Sequence, residues 1–304
     1  MRSNTNIRKI VIWLVVIAVV SLTIAAIAFF NTENYIVRFW DRSNFEGNSI
    51  DEVKTFDIDK VKTFDVEQLK KIYIHSVSSD VSVFSTDEED VKIHFYGSST
   101  AGSEKELPNL ITNLEGNKLK IEIKYPKALL YYPKELFYNA TVVLDVYIPQ
   151  DYTGNINIDT VSADVDMSGL DLNDFKCKTV SGDLRIESLG SDNLTLHTTS
   201  GDVDIVDFSG NLEADSVSGD IDVEYRVFDN NVDIKTISGK VKIDLPQYAE
   251  FHLKTNTVSG EVVAKFPITI ISFNKMNQLE GTVGTGDNRI VVDTVSGDIY
   301  INKF

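Results

Sequence analysis

The feature that most limits what this chain can fold into is a turn that keeps returning. "TVSGDLRIES" at 179–188 comes back as "TTSGDVDIVD", "SVSGDIDVEY", "TISGKVKIDL", "TVSGEVVAKF" and "TVSGDIYINK". The serines of the turn are Ser162, Ser181, Ser200, Ser218, Ser238, Ser259 and Ser296, with steps of 19, 19, 18, 20, 21 and 37 residues. The last step is about two repeats, and "GTVGTGDNRI" (281–290) is read as a degenerate copy filling it. "HSVSSDVSVF" at 75–84 is an earlier copy, ahead of an insertion at 97–140.

Apolar residues alternate on both sides of each turn. One copy runs Leu194, Leu196, Thr198 and Ser200, then Val203 and Ile205; the next runs Leu212, Ala214, Ser216 and Ser218, then Ile221 and Val223. Period-two alternation describes strands with one buried face, and Arg185, Asp204, Asp222 and Lys242 fall on the wet face. Two strands and two turns in about 19 residues are too few for a propeller blade, and the leucine-rich asparagine pattern is missing. The expected fold is all-β: a single-domain β-solenoid, parallel β-helix-like, whose coils stack about 4.8 Å apart over residues 67–304.

Stacking explains the turn. Gly182, Gly201, Gly219, Gly239, Gly260 and Gly297 allow positive φ at a corner. The following Asp accepts local backbone N–H groups, and Ser and Thr hydroxyls are expected to bond along their columns. The Ser–Gly–Asp corners are therefore read as structural. Serine catalysis needs a base in reach, and His75, His94, His197 and His252 do not repeat with the corner. Asp164, Asp183, Asp202 and Asp220 would lie in file, a weak candidate for calcium. One carboxylate per coil falls short of the 6–8 oxygens that ion takes. No metal site or cofactor is expected.

Residues Ile10–Phe30 contain no charge and follow Arg8 and Lys9. About 20 apolar residues cross a bilayer, and basic flanks stay in the cytoplasm. The reading is a cytoplasmic N-terminus (1–9), a transmembrane helix (10–30), a juxtamembrane stalk leading into the first strand (31–66), and an extracytoplasmic body. A cleaved signal peptide, with "AIA" at 26–28 as its site, is the rival. Residues 31–304 carry 26 basic and 46 acidic side chains, a net −20, which disfavours nucleic acid as partner. The lone Cys177 excludes an internal disulfide.

The insertion gathers Tyr125, Tyr131, Tyr132, Phe137 and Tyr138 beside prolines. Such a cluster either binds an envelope glycan or a membrane-protein partner or covers the flank of the solenoid. No compact set of carboxylates or bases points to a carbohydrate-active enzyme.

Tandem "TVSGD" coils behind one N-terminal membrane helix resemble the bacterial "putative adhesin" family of β-helical domains of unknown function. The strand within "VVLDVYIPQD" and the pair Gly284 and Gly286 before the last "SGD" match its usual pattern. Lys240 and Glu261 at the Asp position, and Ser79 and Ala163 at the Gly position, depart from it. The resemblance covers about residues 68–304 and implies an envelope β-solenoid with no catalytic residues. The expected function is a non-enzymatic, membrane-anchored, adhesin-like module. The alternatives are an accessory of envelope-stress signalling and a polymerising, bactofilin-like scaffold.

Overall fold

The computed structural model describes residues 54–67, 69–101, 104, 107–125, 140–273 and 277–304. The predicted membrane span at 10–30 lies outside them, and among the described residues no helix is long and apolar enough to cross a membrane. The strands begin with β1 (Lys54–Asp65), β2 (Lys71–Ser76), β3 (Asp80–Thr86), β4 (Asp90–Ala101), β5 (Asn109–Glu115), β6 (Lys118–Lys124) and β7 (Ala140–Pro149). The regular coils hold β8 (Asn155–Thr160), β9 (Val165–Ser168), β10 (Asp171–Lys178), β11 (Leu184–Glu187), β12 (Gly190–Ser200), β13 (Val203–Ser218), β14 (Ile221–Tyr225), β15 (Val232–Ser238) and β16 (Val241–Leu245). The chain closes with β17 (Phe251–Ser259), β18 (Val262–Ala264), β19 (Thr269–Phe273), β20 (Gln278–Val283), β21 (Asn288–Ser296) and β22 (Ile299–Lys303).

These strands form the two faces of an all-β solenoid. Sheet A runs β1, β4, β7, β3, β9, β11, β13, β14, β16, β22, β18. Sheet B runs β5, β6, β2, β8, β10, β12, β13, β15, β21, β17, β20, β19. The long strand β13 crosses from one face to the other, pairing through Val203–Phe208 in A and Ser209–Ser218 in B. Pairing is parallel through the middle and antiparallel at both ends, where β1–β4–β7, β5–β6 and β17–β20–β19 turn back. The alternating aliphatic residues of both faces point inward and meet in one continuous core; Ile158, Leu196, Ile205, Ile234, Ile243 and Ile301 are each at most 1% exposed. One run of aromatic rings threads the C-terminal half: Phe208, Tyr225, Phe228, Phe251 and Phe266 follow one another at centroid distances of 5.1, 5.0, 6.1 and 5.1 Å.

The coils do not stack in chain order at either end. The last one, β21–β22, lies between β15–β16 and β17–β18: Ser296 pairs with both Ser238 and Ser259. The 37-residue step is thus no stretch of two coils. Residues 269–273 and 278–283 form the antiparallel pair β19–β20 that covers the end, and the turn with Gly284 (φ 62°) and Gly286 (φ 75°) carries the chain back past β17. Glu250 accepts both the Thr285 N–H (3.0 Å) and its hydroxyl (2.7 Å), fixing that turn. At the other end β2–β3 lies between β6–β7 and β8–β9. The insertion therefore supplies strands of the body, and "KTFDIDKVKTFD" (54–65), within the stretch read as stalk and first strand, forms strand β1.

The repeat serines do stand in file, all of them exposed. The corner aspartates work between coils and not locally. Asp80, Asp164, Asp183, Asp202 and Asp220 each accept, on Oδ1, the backbone N–H of the equivalent residue one coil on (Asp164, Asp183, Asp202, Asp220, Lys240) at 2.7–3.1 Å. Lys240 ends the run, with Nζ 3.4 Å from Asp220 and 3.5 Å from Asp222, and Asp298 serves Glu261 in the same way at 2.9 Å. Stacked like charges are tolerated because each faces an amide dipole. Replacing Asp202 by Ala leaves the Asp220 N–H without this acceptor and is expected to cost about 1 kcal/mol; Asp202→Asn keeps an oxygen there and should cost less. Urea midpoints of the two variants decide this.

Two other corner expectations need correction. The column hydroxyls bond along the file at only two of these places, Ser162 to the Val77 carbonyl at 3.3 Å and Thr257 to the Gly297 carbonyl at 3.1 Å; Thr198, Ser216 and Thr236 each donate across their own corner to the carbonyl two residues on at 3.3 Å, while Thr160, Thr179 and Thr294 find no partner. Positive φ explains only part of the glycine column. Gly201 has φ 128°, but Gly260 and Gly297 lie outside the left-handed region. Contact explains them: a Cβ on Gly297 would come within 1.9 Å of the Gly239 carbonyl oxygen.

The outer face of sheet B carries a charge ladder. Glu122, His75, Asp159, Lys178, His197, Asp215, Lys235 and Asp293 are successive cross-strand neighbours. Opposite charges directly across a pair stabilise a sheet, and the Lys235–Asp293 rung exists only because β21 sits beside β15. Burial lifts the Asp293 carboxyl above its usual range, as does nearby Asp233, while Lys235 and Lys254 pull it back.

Candidate functional site

Three strands near the N-terminal end of sheet A turn aromatic side chains outward. In β4 the inward residues are Val91, Ile93 and Phe95, so Lys92, His94 and Tyr96 project from the other face. In β7 inward Leu144 and Val146 leave Asp145 and Tyr147 outside, and in β3 inward Val81 and Val83 leave Phe84 outside. Register brings these together: Lys92 pairs with Tyr147, His94 with Asp145, and Phe84 with Tyr147.

Asp145 is the centre of the group, only 9% exposed although it sits on an outward position. Tyr147 donates to its Oδ2 at 3.3 Å, and Tyr96 hydrogen-bonds the same carboxylate. Burial raises both phenol pKa values, and the Asp145 charge raises them further. The Phe84 and Tyr147 rings are 5.6 Å apart, and the His94 ring lies 4.4 Å from that of Tyr96. Lys92 Nζ stands 5.6 Å over the Tyr147 ring, His94 Nε2 bonds Asp59 Oδ1 at 2.9 Å, and Val61 of β1 borders the patch, 54% exposed. The result is a flat platform of half-buried rings around one carboxylate with lone pairs to spare. Ring faces take the apolar side of a ligand, and the phenols and carboxylate fix its hydroxyl or amino groups.

The residues singled out from sequence sit elsewhere. Tyr131, Tyr132, Phe137 and Tyr138 lie outside the described residues. Tyr125 packs half-buried against the core and shares a hydrogen bond with the Ser79 hydroxyl, a covering role. Asp164, Asp183, Asp202 and Asp220 are engaged with backbone amides, and among the described residues no group of three or more His, Cys, Asp or Glu is arranged to hold a metal ion. A trough of about 560 Å³ on sheet B is lined by Asn193, Asn211, Asn231, Glu213, Asp233 and Arg289. Its amides are engaged with the solenoid itself: Asn211 Nδ2 donates to the Asp192 carbonyl at 2.9 Å, and Asn231 and Arg289 donate backbone N–H to the Asn one coil back at 3.0 Å. The platform was visible in "VKIHFYG" and "LDVYIP" as aromatic residues at outward positions; only the antiparallel β4–β7 register makes them neighbours.

Solved structures to which the chain shows a distant likeness include a "putative cell adhesion protein" from Clostridium sporogenes (15% identity, 82% of this chain and 100% of that one, TM-score 0.35). A "putative adhesin" from Bacteroides fragilis is 15% identical over 83% of this chain and 97% of its own, with TM-score 0.43. A "putative lipid binding protein" from Parabacteroides distasonis is 16% identical over 81% and 96%, with TM-score 0.33. So distant a likeness leaves function to the geometry of this chain. No curated protein matches it. Residues 69–302, the solenoid from just before β2 to within β22, match the family described as Toastrack DUF4097, and the chain belongs to that family.

Proposed function

We propose that the chain is a non-enzymatic, adhesin-like module that holds an envelope glycan on the platform of Phe84, Tyr96 and Tyr147 around Asp145. The observation that carries this reading is a nearly buried carboxylate placed among half-exposed rings on a flat, rigid sheet. Three aromatic side chains on one face of the sheet, spaced by strand pairing, suit the face of a sugar ring, and a solenoid holds them with little loss of entropy on binding. In this reading residues 10–30 retain the protein in the cell membrane as a single-pass anchor, with the N-terminus cytoplasmic and the solenoid outside. The 23 residues from 31 to 53 then join the anchor to β1.

The test is titration of the full-length protein in detergent with solubilised peptidoglycan and wall polysaccharide fragments. Tyr96→Ala combined with Tyr147→Ala should weaken binding at least tenfold, about 1.4 kcal/mol. Equal affinity in the wild type and the double variant would remove the platform from consideration, and new reducing ends appearing in the mixture would refute the non-enzymatic part.

A further inference from the structure

Each sheet has two edge strands among those described, and three of the four are guarded. β1, paired only with β4, carries Lys54, Asp57, Asp59, Lys60, Lys62 and Asp65 within twelve residues. β5, paired only with β6, is bridged by β1: Lys60 Nζ bonds Asn109 at 2.6 Å and Lys62 Nζ bonds Thr112 at 2.8 Å. β18 is three residues long. Charged, covered and very short edges are the usual means by which a sheet avoids growing.

The fourth edge lacks all three. β19 pairs only with β20, and "FPITIISF" from 266 to 273 contains no charge in a chain of net −17. Its register shifts between Ile270 and Ser272, which turns two successive isoleucines outward, 57% and 63% exposed. Elsewhere a surface this acidic repels a second copy of itself; along β19 that repulsion is least, and its outer edge, which no described strand pairs with, runs beside apolar side chains.

We infer that two copies of this chain associate tail to tail through β19, antiparallel about a two-fold axis, continuing sheet B from one molecule into the other. The contact is isologous and closes at two. Growth into filaments would instead need β19 to meet β1 or β5, which are charged or covered. The strand is short, so the affinity is modest. β1 and β19 lie at opposite ends of the solenoid, roughly 50 Å apart at the strand spacing of a sheet. Tail-to-tail pairing therefore leaves the two β1 strands at the far ends of the pair.

The experiment is sedimentation of the full-length protein in detergent across a concentration series. A monomer–dimer equilibrium is expected, weakened at least tenfold by Ile270→Lys with Ile271→Lys. Ile270→Thr with Ile271→Thr, which keeps β-branched side chains and hence the strand, should weaken it in the same direction. Val61→Lys, at the far end, should leave the dimer constant unchanged. Three results overturn the inference: a wild type that stays monomeric at the highest concentration reached, a dimer that survives both isoleucine double variants, or species that grow beyond two with concentration.

Discussion

A chain ended after Asp287 loses much more than its last 17 residues. In a solenoid stacked in chain order, removing the terminal coil would leave the rest as it was, because each repeat touches only its neighbours. Here β21 is the partner of both β15 and β17, and β22 of both β16 and β18. Deletion removes Ile290, Val292, Ile299 and Ile301, each at most 1% exposed, at about 1.5–3 kcal/mol apiece. It also cuts the strand ladder in the middle, so β17–β20 have no sheet to join. The expected result is loss of amide protection in β17, β18, β19 and β20, with the coils before β15 still protected. Hydrogen exchange of the truncated and full chains, compared segment by segment, measures it. Protection retained at Phe251 and Leu253 would contradict the intercalated order.

Gly201→Ala should be among the most damaging single methyl additions in the regular coils. The added Cβ would meet the Gly182 carbonyl oxygen at 2.1 Å, and φ at 128° is strained for any L side chain. The carbonyl belongs to the coil beneath, and the same peptide carries the Asp183 N–H that bonds Asp164 Oδ1 at 2.8 Å, so it cannot swing away without breaking that bond and the coils must part locally. A loss of about 3 kcal/mol or more is expected, combining backbone strain with overpacking. Gly116→Ala is the comparison. Its φ is 59° but nothing lies within 4 Å of the new methyl, so only the left-handed penalty of about 1–2 kcal/mol applies. Urea unfolding of both variants separates close contact from conformation. Similar losses would mean that the stacking distance is not what requires glycine.

Much of this architecture was legible because a solenoid repeats its constraints. A period near 19, strict alternation and a small residue at each corner have few other solutions, and the register Ser181–Ser200–Ser218–Ser238 follows directly from them. Even the glycine column was legible, although its reason was only half right. Contact with the coil below, which no single repeat reveals, accounts for Gly260 and Gly297.

The local pattern of apolar and polar residues determined the strands, the faces they bury and the corners between them, since those depend on neighbours one or two positions away. It could not determine which coil lies on which. Any two coils with the same inward residues stack equally well, so the choice falls to the ends, where exposed strand edges must be covered. Covering them placed β21 between β15 and β17, and β2 between β6 and β8. The same antiparallel closure set β4 beside β7, and with it brought Tyr96, Asp145 and Tyr147 onto one surface.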